Sequence, residues 1–272
     1  GLPTTNPKLV QKLVQQARID SSGLVRLTLV SALQRLPISL RRELAKGLAS
    51  RQEDANDHNL PMIVWAGITP LVENDPDGLL DIAHSSQWPV LRTWIARAIT
   101  ERSKEQPIVF HSLLDLIVEQ PNHAESLLAG IERAVLGMKG FLQPAKWDHI
   151  RSKLGMNPTV LKLSVIFGDI QATHEMEKVV VDEKVDSNIR RQTLGILIDS
   201  DTPNLQSLCE KLLTDPELKV LAVRGLAKFE SLEIGEKITN ILGEFSNSEQ
   251  NEVVEILCGR VSWAGFLLEE IK

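Results

Sequence analysis

The chain has 272 residues, of which 30 are Lys or Arg and 36 are Asp or Glu, so its formal net charge is −6. Hydrophobic residues make up 43% and charged residues 24%, a balance that excludes collagenous, low-complexity and disordered chains. No apolar run approaches the roughly 18 residues that a membrane span needs, so we predict no membrane span. Because Gly1 leads directly into ordinary sequence, we expect a domain excised from a larger protein.

Apolar residues recur at helical spacing in successive segments of about 10–16 residues. The first stripe runs from Val10 to Ala17, and the second runs from Leu29 to Leu36. Pro37 ends the second helix, because proline has no N–H to donate and clashes with the preceding turn. The same spacing continues along the chain and predicts helices throughout.

Many of the 13 prolines follow a residue that caps a predicted helix start. Proline is tolerated in the first helical turn, where its missing N–H has no intrahelical partner. The helix starts with this pattern are Asn6-Pro7, Asn59-Leu60-Pro61, Asp75-Pro76, Gln120-Pro121, Asn157-Pro158, Thr202-Pro203 and Asp215-Pro216. Together with the helix ends, they predict about 16 helices joined by loops of about two to eight residues.

A loose repeat is present in the C-terminal half. An offset of 29 residues aligns Leu194 with Val223, and an offset of 31 aligns Val223 with Val254. Helix pairs that repeat in this way bury their apolar faces by stacking on their neighbours. We therefore predict an all-α fold, an α-α superhelix of the HEAT/ARM solenoid type, in one domain covering residues 1–272. The valine run at 179–181, the only segment that looks like a strand, is predicted to close a helix.

Motifs of catalysis are absent from the sequence. His174 begins a zinc-like motif, but Lys178 stands where the second histidine would be needed. Cys209 and Cys258 lie in apolar helical patterns and are predicted to be small buried hydrophobic residues. The Gly-Met-Lys-Gly segment at 137–140 is interpreted as a turn. We predict no catalytic residue, no metal ligand and no cofactor.

One acidic segment, residues 53–61, is a candidate site, because three carboxylates, one imidazole and two amides fall within it. The simplest interpretation is a helix start, at which acidic side chains complement the helix dipole and Asn59 provides the cap. A contact with another domain and a metal bound by oxygen ligands are the alternatives, although the EF-hand spacing is missing. The Trp that follows is expected near this loop and is more typical of a core than of a ligand platform. The candidate interdomain contact residues are Asp54, Asp57, His58, Asn59 and Trp65.

Charge and aromatic content bear on nucleic-acid binding. The net charge is negative and tyrosine is absent, whereas nucleic-acid binding relies on basic surface and often on exposed aromatic rings. Arg92, Arg97 and Arg102 are five residues apart, a spacing that drifts around a helix and forms no stripe. We predict no nucleic-acid partner, and a HEAT-like solenoid of the DNA glycosylase type is kept as an alternative.

The order of several segments resembles a known family. These segments are residues 53–71, which include Trp65-x-Gly67-x-x-Pro70-Leu71, and residues 167–169, 190–194, 221–227 and 253–271, the last with Arg260-x-x-Trp263-Ala264. Together they resemble the HEAT-like helical region of large multidomain proteins of planctomycetes and verrucomicrobia, which are named membrane-bound dehydrogenases or haem-binding proteins.

The resemblance implies a connector between redox modules, because in that family a β-propeller precedes the helical region and a c-type cytochrome module follows it. This chain contains no propeller strands and no CxxCH motif, so no functional residue of those modules has a position here. The resemblance also implies that the parent protein is exported. For this chain we predict a non-catalytic scaffold whose partner is another domain of the parent chain or another protein. A metal- or small-molecule-binding enzyme domain that uses Asp54, Asp57 and His58 is the remaining alternative.

Overall fold

The computed structural model describes residues 7–136, 141–155 and 157–270. These residues form 18 α-helices and two short 3₁₀ helices and contain no β-strand, which confirms the all-α class. The estimate of about 16 helices was slightly low, because a helix as short as Leu71–Asn74 has no apolar stripe of its own. The turn predicted at 137–140 lies outside the described residues, as do Gly1 and residue 271.

Contacts divide the chain into two compact units, Gly1–Val160 and Leu161–Lys272. The predictions of a single domain and of a continuous superhelix stay predictions.

The helices up to the unit boundary are α1 (Pro7–Ile19), α2 (Gly23–Leu33), α3 (Ile38–Ala49), α4 (Leu60–Ile68), α5 (Leu71–Asn74), α6 (Pro76–Ser85), α7 (Pro89–Glu101), α8 (Pro107–Glu119), α9 (Pro121–Val135) and α10 (Trp147–Leu154). From the boundary onward they are α11 (Pro158–Ile166), α12 (Ile170–Val181), α13 (Ser187–Asp199), α14 (Leu205–Leu212), α15 (Lys219–Leu226), α16 (Leu232–Asn240), α17 (Asn247–Cys258) and α18 (Val261–Glu270). The 3₁₀ helices are Gln52–Asp54 and Leu242–Glu244.

The first unit is built from two rows of helices. In the first row α1 contacts α3, α3 contacts α6, α6 contacts α8 and α8 contacts α10. In the second row α2 contacts α4, α4 contacts α7 and α7 contacts α9. Consecutive helices also pack across the rows, so the unit resembles a helical repeat, and its main contacts join helices that are close in chain order.

The α7–α9 contact shows how the sequence permits such packing. Gly130 lies in α9, and a Cβ at that position would be 2.4 Å from the carbonyl oxygen of Thr93 and 2.7 Å from the Cβ of Ala96. Only a residue without a side chain lets the two backbones approach this closely. α7 and α9 therefore form a tight pair within the second row.

The second unit has a comparable plan. α13 contacts α15 and α15 contacts α17, while α12, α14 and α18 pack on these three helices. Val180 is buried within α12, which confirms that the valine run closes a helix. Cys209 is buried, as predicted, but the prediction for Cys258 was wrong, because Cys258 lies exposed at the end of α17.

The proline pattern correctly predicted the starts of α1, α4, α6, α9 and α11. Prolines also occupy the first position of α7 and α8, two starts that the pattern did not include. The prediction was wrong at Pro203 and Pro216, which precede α14 and α15. At both sites a main-chain bond closes a turn before the helix begins, for example from the N–H of Leu205 to the carbonyl of Thr202 at 3.1 Å.

None of the described helices has both the length and the apolar character needed to cross a lipid bilayer.

Candidate binding groove

The acidic segment between α3 and α4 contains a buried ion pair. Nε of Arg26 donates to Oδ2 of Asp54 at 2.6 Å, and Nη2 donates to Oδ1 at 2.7 Å. Both residues are buried. The hydrogen bond to Asp54, opposed by burial, raises the pKa of Arg26 above its ordinary value. Asp54 therefore fixes its 3₁₀ helix to α2, and both its oxygens are already occupied.

The second carboxylate of this segment caps α4. Oδ1 of Asp57 accepts the main-chain N–H groups of Asn59 and Leu60, each at 2.8 Å. Both bonds lower the pKa of Asp57, and the bond from Leu60 has the larger effect. The prediction that Asn59 provides the cap was wrong, because its side chain makes no capping bond. The acidic residue two positions earlier reaches the free N–H groups of the helix instead.

The remaining loop residues, His58 and Asn59, are exposed to solvent. Within residues 7–136, 141–155 and 157–270, no group of three or more His, Cys, Asp or Glu residues is placed to hold a metal ion. An interdomain contact at Asp57, His58 and Asn59 stays a prediction.

Trp65 lies on α4 and packs against Trp94 of α7. The two ring centroids are 6.2 Å apart, and the ring planes are inclined by 44°. Both residues are only half-buried. Trp65 is therefore not the core residue that the sequence led us to expect. The pair exists because α4 and α7 are neighbours in the second row.

The indole N–H groups distinguish this pair from other tryptophans of the chain. Nε1 of the buried Trp88 donates to the carbonyl of Arg51 at 2.7 Å, and Nε1 of Trp263 also donates to a main-chain carbonyl, at 2.9 Å. Nε1 of Trp65 and Nε1 of Trp94 have no acceptor among the described residues. The pair therefore presents two hydrogen-bond donors together with two aromatic faces.

A groove of about 660 Å³ runs along Trp65. Its walls come from α4, from the segment that follows α4, and from the C-terminal end of α7. The lining residues are Trp65, Ala66, Thr69, Pro70, Val72, Glu73, Ala98, Glu101 and Arg102.

The charged side chains at the groove are paired with one another. Arg102 forms an ion pair with Glu73, and Nε of Arg97 lies 2.7 Å from Oε1 of Glu101. Arg97 does not line the groove, but it pairs with Glu101, which does. Both glutamates of the groove wall are therefore paired with an arginine, so the groove favours neither an anion nor a cation.

Other helices and turns of the second row also carry exposed apolar side chains. Met62 precedes Trp65 by one turn of α4 and is 56% exposed. On the adjacent α2, Leu24 and Leu27 are exposed as well. Scattered exposed apolar residues are common in soluble proteins, but Met62 shares α4 with Trp65, and α2, which carries Leu24 and Leu27, contacts α4.

No protein-family model, no curated protein and no solved structure matches the chain. The family resemblance named from the sequence stays a prediction.

Sequence reasoning did not predict Trp94 as a site residue. Trp65 and Trp94 are 94 − 65 = 29 residues apart, a separation close to the repeat length found in the C-terminal half. A search for equivalent positions one repeat apart would have paired them. The free indole donors, in contrast, depend on side-chain packing and have no sequence signal.

Proposed function

We propose that this chain is a non-catalytic protein-interaction module of the helical-repeat type, and that its groove at Trp65, against which Trp94 packs, binds a proline-rich, extended segment of a partner protein. The observation that carries the proposal is the pair of adjacent, half-buried tryptophans with unpaired indole N–H groups.

The chemistry of a proline-rich segment suits this pair. In the polyproline II conformation the backbone makes no internal hydrogen bonds, so its carbonyl groups are free to accept from indole N–H donors. Aromatic-lined grooves are a recurrent way of binding such segments, because the ligand loses little conformational entropy. The ring of Trp65 provides an apolar wall of the groove, and the ring of Trp94 packs against it.

The charged side chains at the groove favour a partner segment without net charge. Single-stranded nucleic acid also stacks on aromatic rings, but its binding depends on basic groups that neutralise phosphates. Arg102 is the basic residue among those that line the groove, and it is paired with Glu73. Arg97, outside the lining, is paired with Glu101. The pairing therefore favours an uncharged peptide over the nucleic-acid alternative.

The family resemblance supports a narrower proposal about context. Under it, the chain is a spacer between redox domains of a larger, exported dehydrogenase–cytochrome protein, and the bound segment belongs to another domain of that parent chain or to a partner protein. Because a spacer needs no reaction of its own, turnover of a sugar or alcohol by this chain with a redox dye would overturn the non-catalytic assignment.

A decaproline peptide tests the groove directly. We expect its addition to change the tryptophan emission in a saturable way, with a matching heat in calorimetry. Trp65→Phe and Trp94→Phe keep an aromatic ring but remove one donor each, so each weakens binding, and the double substitution to Ala abolishes it.

Ile108→Ala is the matched control, because Ile108 is an exposed apolar residue of α8 in the first row. It should bind decaproline like the parent chain. The proposal is overturned if decaproline gives no signal, or if the double alanine variant binds it equally well. A dimer that dissociates on Trp65→Ala would instead assign the groove to a second copy of the chain.

A further inference from the structure

A groove of about 440 Å³ lies between α12 and α14, within the second unit. α12 packs on α13, and α14 packs on α15, but α12 and α14 are not in close contact with each other. In the first unit, by contrast, alternate helices such as α1 and α3 pack closely. The groove is therefore a gap between two alternate helices, whose facing sides are left free for a ligand.

Each wall of the groove is one face of a helix. The residues of the two walls are His174, Glu177, Lys178 and Val181 from α12, and Asn204, Ser207, Leu208 and Lys211 from the start and body of α14. Both sets have the spacing i, i+3, i+4 and i+7, which places their members on a single helix face. At a rise of 1.5 Å per residue, such a wall is about 10 Å long.

A second chamber of about 290 Å³ adjoins the groove, since His174 and Asn204 line both. It lies beside the N-terminal ends of α12 and α14, and its apolar lining comes from Val165, Ile170 and Pro203. A ligand that fills both chambers therefore needs apolar as well as polar groups.

The exposed charges of the groove walls are positive. Lys178 and Lys211 are exposed, and neither has a carboxylate partner among the described residues, whereas six other basic residues of the second unit are paired with one. Oε2 of Glu177 lies 3.0 Å from Nδ1 of His174, and its Oε1 is enclosed. Asp201, in the second chamber, is paired with a lysine. The two free ammonium groups favour an acidic ligand.

Buried polar atoms without a partner are concentrated in this lining. Of the five such side-chain atoms in the described residues, three are Oε1 of Glu177, Oγ of Ser200 and Oγ1 of Thr202, and Thr202 is only 6% exposed. A buried polar group without a partner is destabilising, and a hydroxyl can turn between three staggered positions to meet a ligand. The side chains of Asn204 and Ser207 also make no hydrogen bond to the described residues. Polar ligand groups would satisfy these atoms.

We propose that this groove binds a short, extended, acidic segment of a partner protein, with its carboxylates at Lys178 and Lys211. The main chain of an extended segment has free N–H and C=O groups, which suit the amide of Asn204 and the hydroxyls of the lining. In a helical segment most of these groups are already paired. Apolar side chains of the segment occupy the second chamber. The site is separate from the tryptophan groove and does not depend on the proposed function.

A capped pentapeptide of alternating glutamate and valine is the probe for this groove. In calorimetry at neutral pH and low salt, we expect saturable binding that weakens as salt is added, and weaker binding of the same peptide with glutamine in place of glutamate. Lys178→Gln and Lys211→Gln should each weaken binding about two- to fivefold, as expected for an exposed ion pair. Lys184→Gln is the matched control, because Lys184 is exposed, has no carboxylate partner among the described residues and lies outside both linings.

Two further measurements separate the groove from general charge attraction. Ser207→Trp fills the groove without changing its charge and should abolish binding, whereas Trp65→Phe, in the first unit, should bind like the parent chain. The imidazole signals of His174 should shift as the peptide is added, while those of His58 stay constant.

Several outcomes would overturn the proposal. These are the absence of saturable binding, equal affinity for the glutamate and glutamine peptides, equal losses in Lys184→Gln and Lys178→Gln, and unchanged binding by Ser207→Trp. Tighter binding of an oligothymidine that requires Lys178 and Lys211 would instead assign the groove to a nucleic acid.

Discussion

The guanidinium of Arg26 holds both carboxylate oxygens of Asp54, which lies 28 residues further along the chain. This pair joins α2 to the 3₁₀ helix that precedes α4, and Asp57, three residues later, caps α4. The start of α4 is thereby fixed relative to α2. Since Trp65 lies on α4, the acidic segment supports the candidate groove through the fold rather than by binding a ligand.

Asp54→Ala should destabilise the chain by about 3–5 kcal/mol, because it leaves the charge of Arg26 buried without a partner. Urea unfolding at neutral pH measures the change. Glu53→Gln is the control, since Glu53 is exposed and pairs with Arg51 at the surface, where solvent screens the attraction. Equal losses in the two variants would contradict a structural role for the buried pair. In the double variant Arg26→Met/Asp54→Leu, most of the lost stability should return.

Two glycines in helix interiors should respond to alanine with opposite signs. Gly130→Ala places a Cβ 2.4 Å from the carbonyl oxygen of Thr93, so we expect a loss of about 1–3 kcal/mol from overpacking. At Gly195, in α13, no atom lies within 4 Å of an added Cβ. Gly195→Ala should therefore stabilise the chain by about 0.5–1 kcal/mol through helix propensity. Chemical denaturation of both variants checks the signs, and a neutral Gly130→Ala would refute the close approach of α7 and α9.

The two cysteines should differ in reactivity toward thiol reagents. Burial raises the pKa of the Cys209 thiol to about 12, so at mildly alkaline pH almost none of it is the reactive thiolate. Cys258 is exposed. We expect iodoacetamide to modify Cys258 in the folded chain and Cys209 only after unfolding, as mass spectrometry of peptides would show. Labelling of Cys209 in folded Cys258→Ala would contradict this.

The stability of the chain should decrease as the solution becomes mildly acidic, in part because of His123. Burial, assisted by the charges of Arg92 and His84, lowers its pKa below the ordinary 6.5. The unfolded chain therefore takes up this proton at higher pH than the folded chain, so stability is lost as pH falls from 6.5 through the lower folded pKa. In His123→Gln this loss should be smaller, whereas in the exposed control His58→Gln it should equal that of the parent chain. Urea unfolding across this range measures both, and identical curves for His123→Gln and the parent chain would contradict the lowered pKa of His123.

Local signals predicted the elements well. The helical spacing of apolar residues and the prolines at helix starts identified the all-α class and most of the helices, because both act within one or two turns of backbone. Predictions that needed the surroundings of a side chain were less accurate. Asn59 and Asp57 are both suitable caps in sequence, and the turn geometry selected Asp57. The spacing of Arg92, Arg97 and Arg102 gave no sign that Arg92 is buried.

The sequence by itself determined that this chain forms helices with one apolar face each, since helix periodicity, capping and proline placement are properties of neighbouring residues. Tertiary structure alone decided that Trp65 meets Trp94, that Asp54 is neutralised by Arg26, and that Arg92 is left without a counter-ion. The first two relationships join residues about 30 positions apart, and the third depends on the absence of a carboxylate beside Arg92. They arise only when helices pack side by side and the interior removes water from some polar groups and not from others.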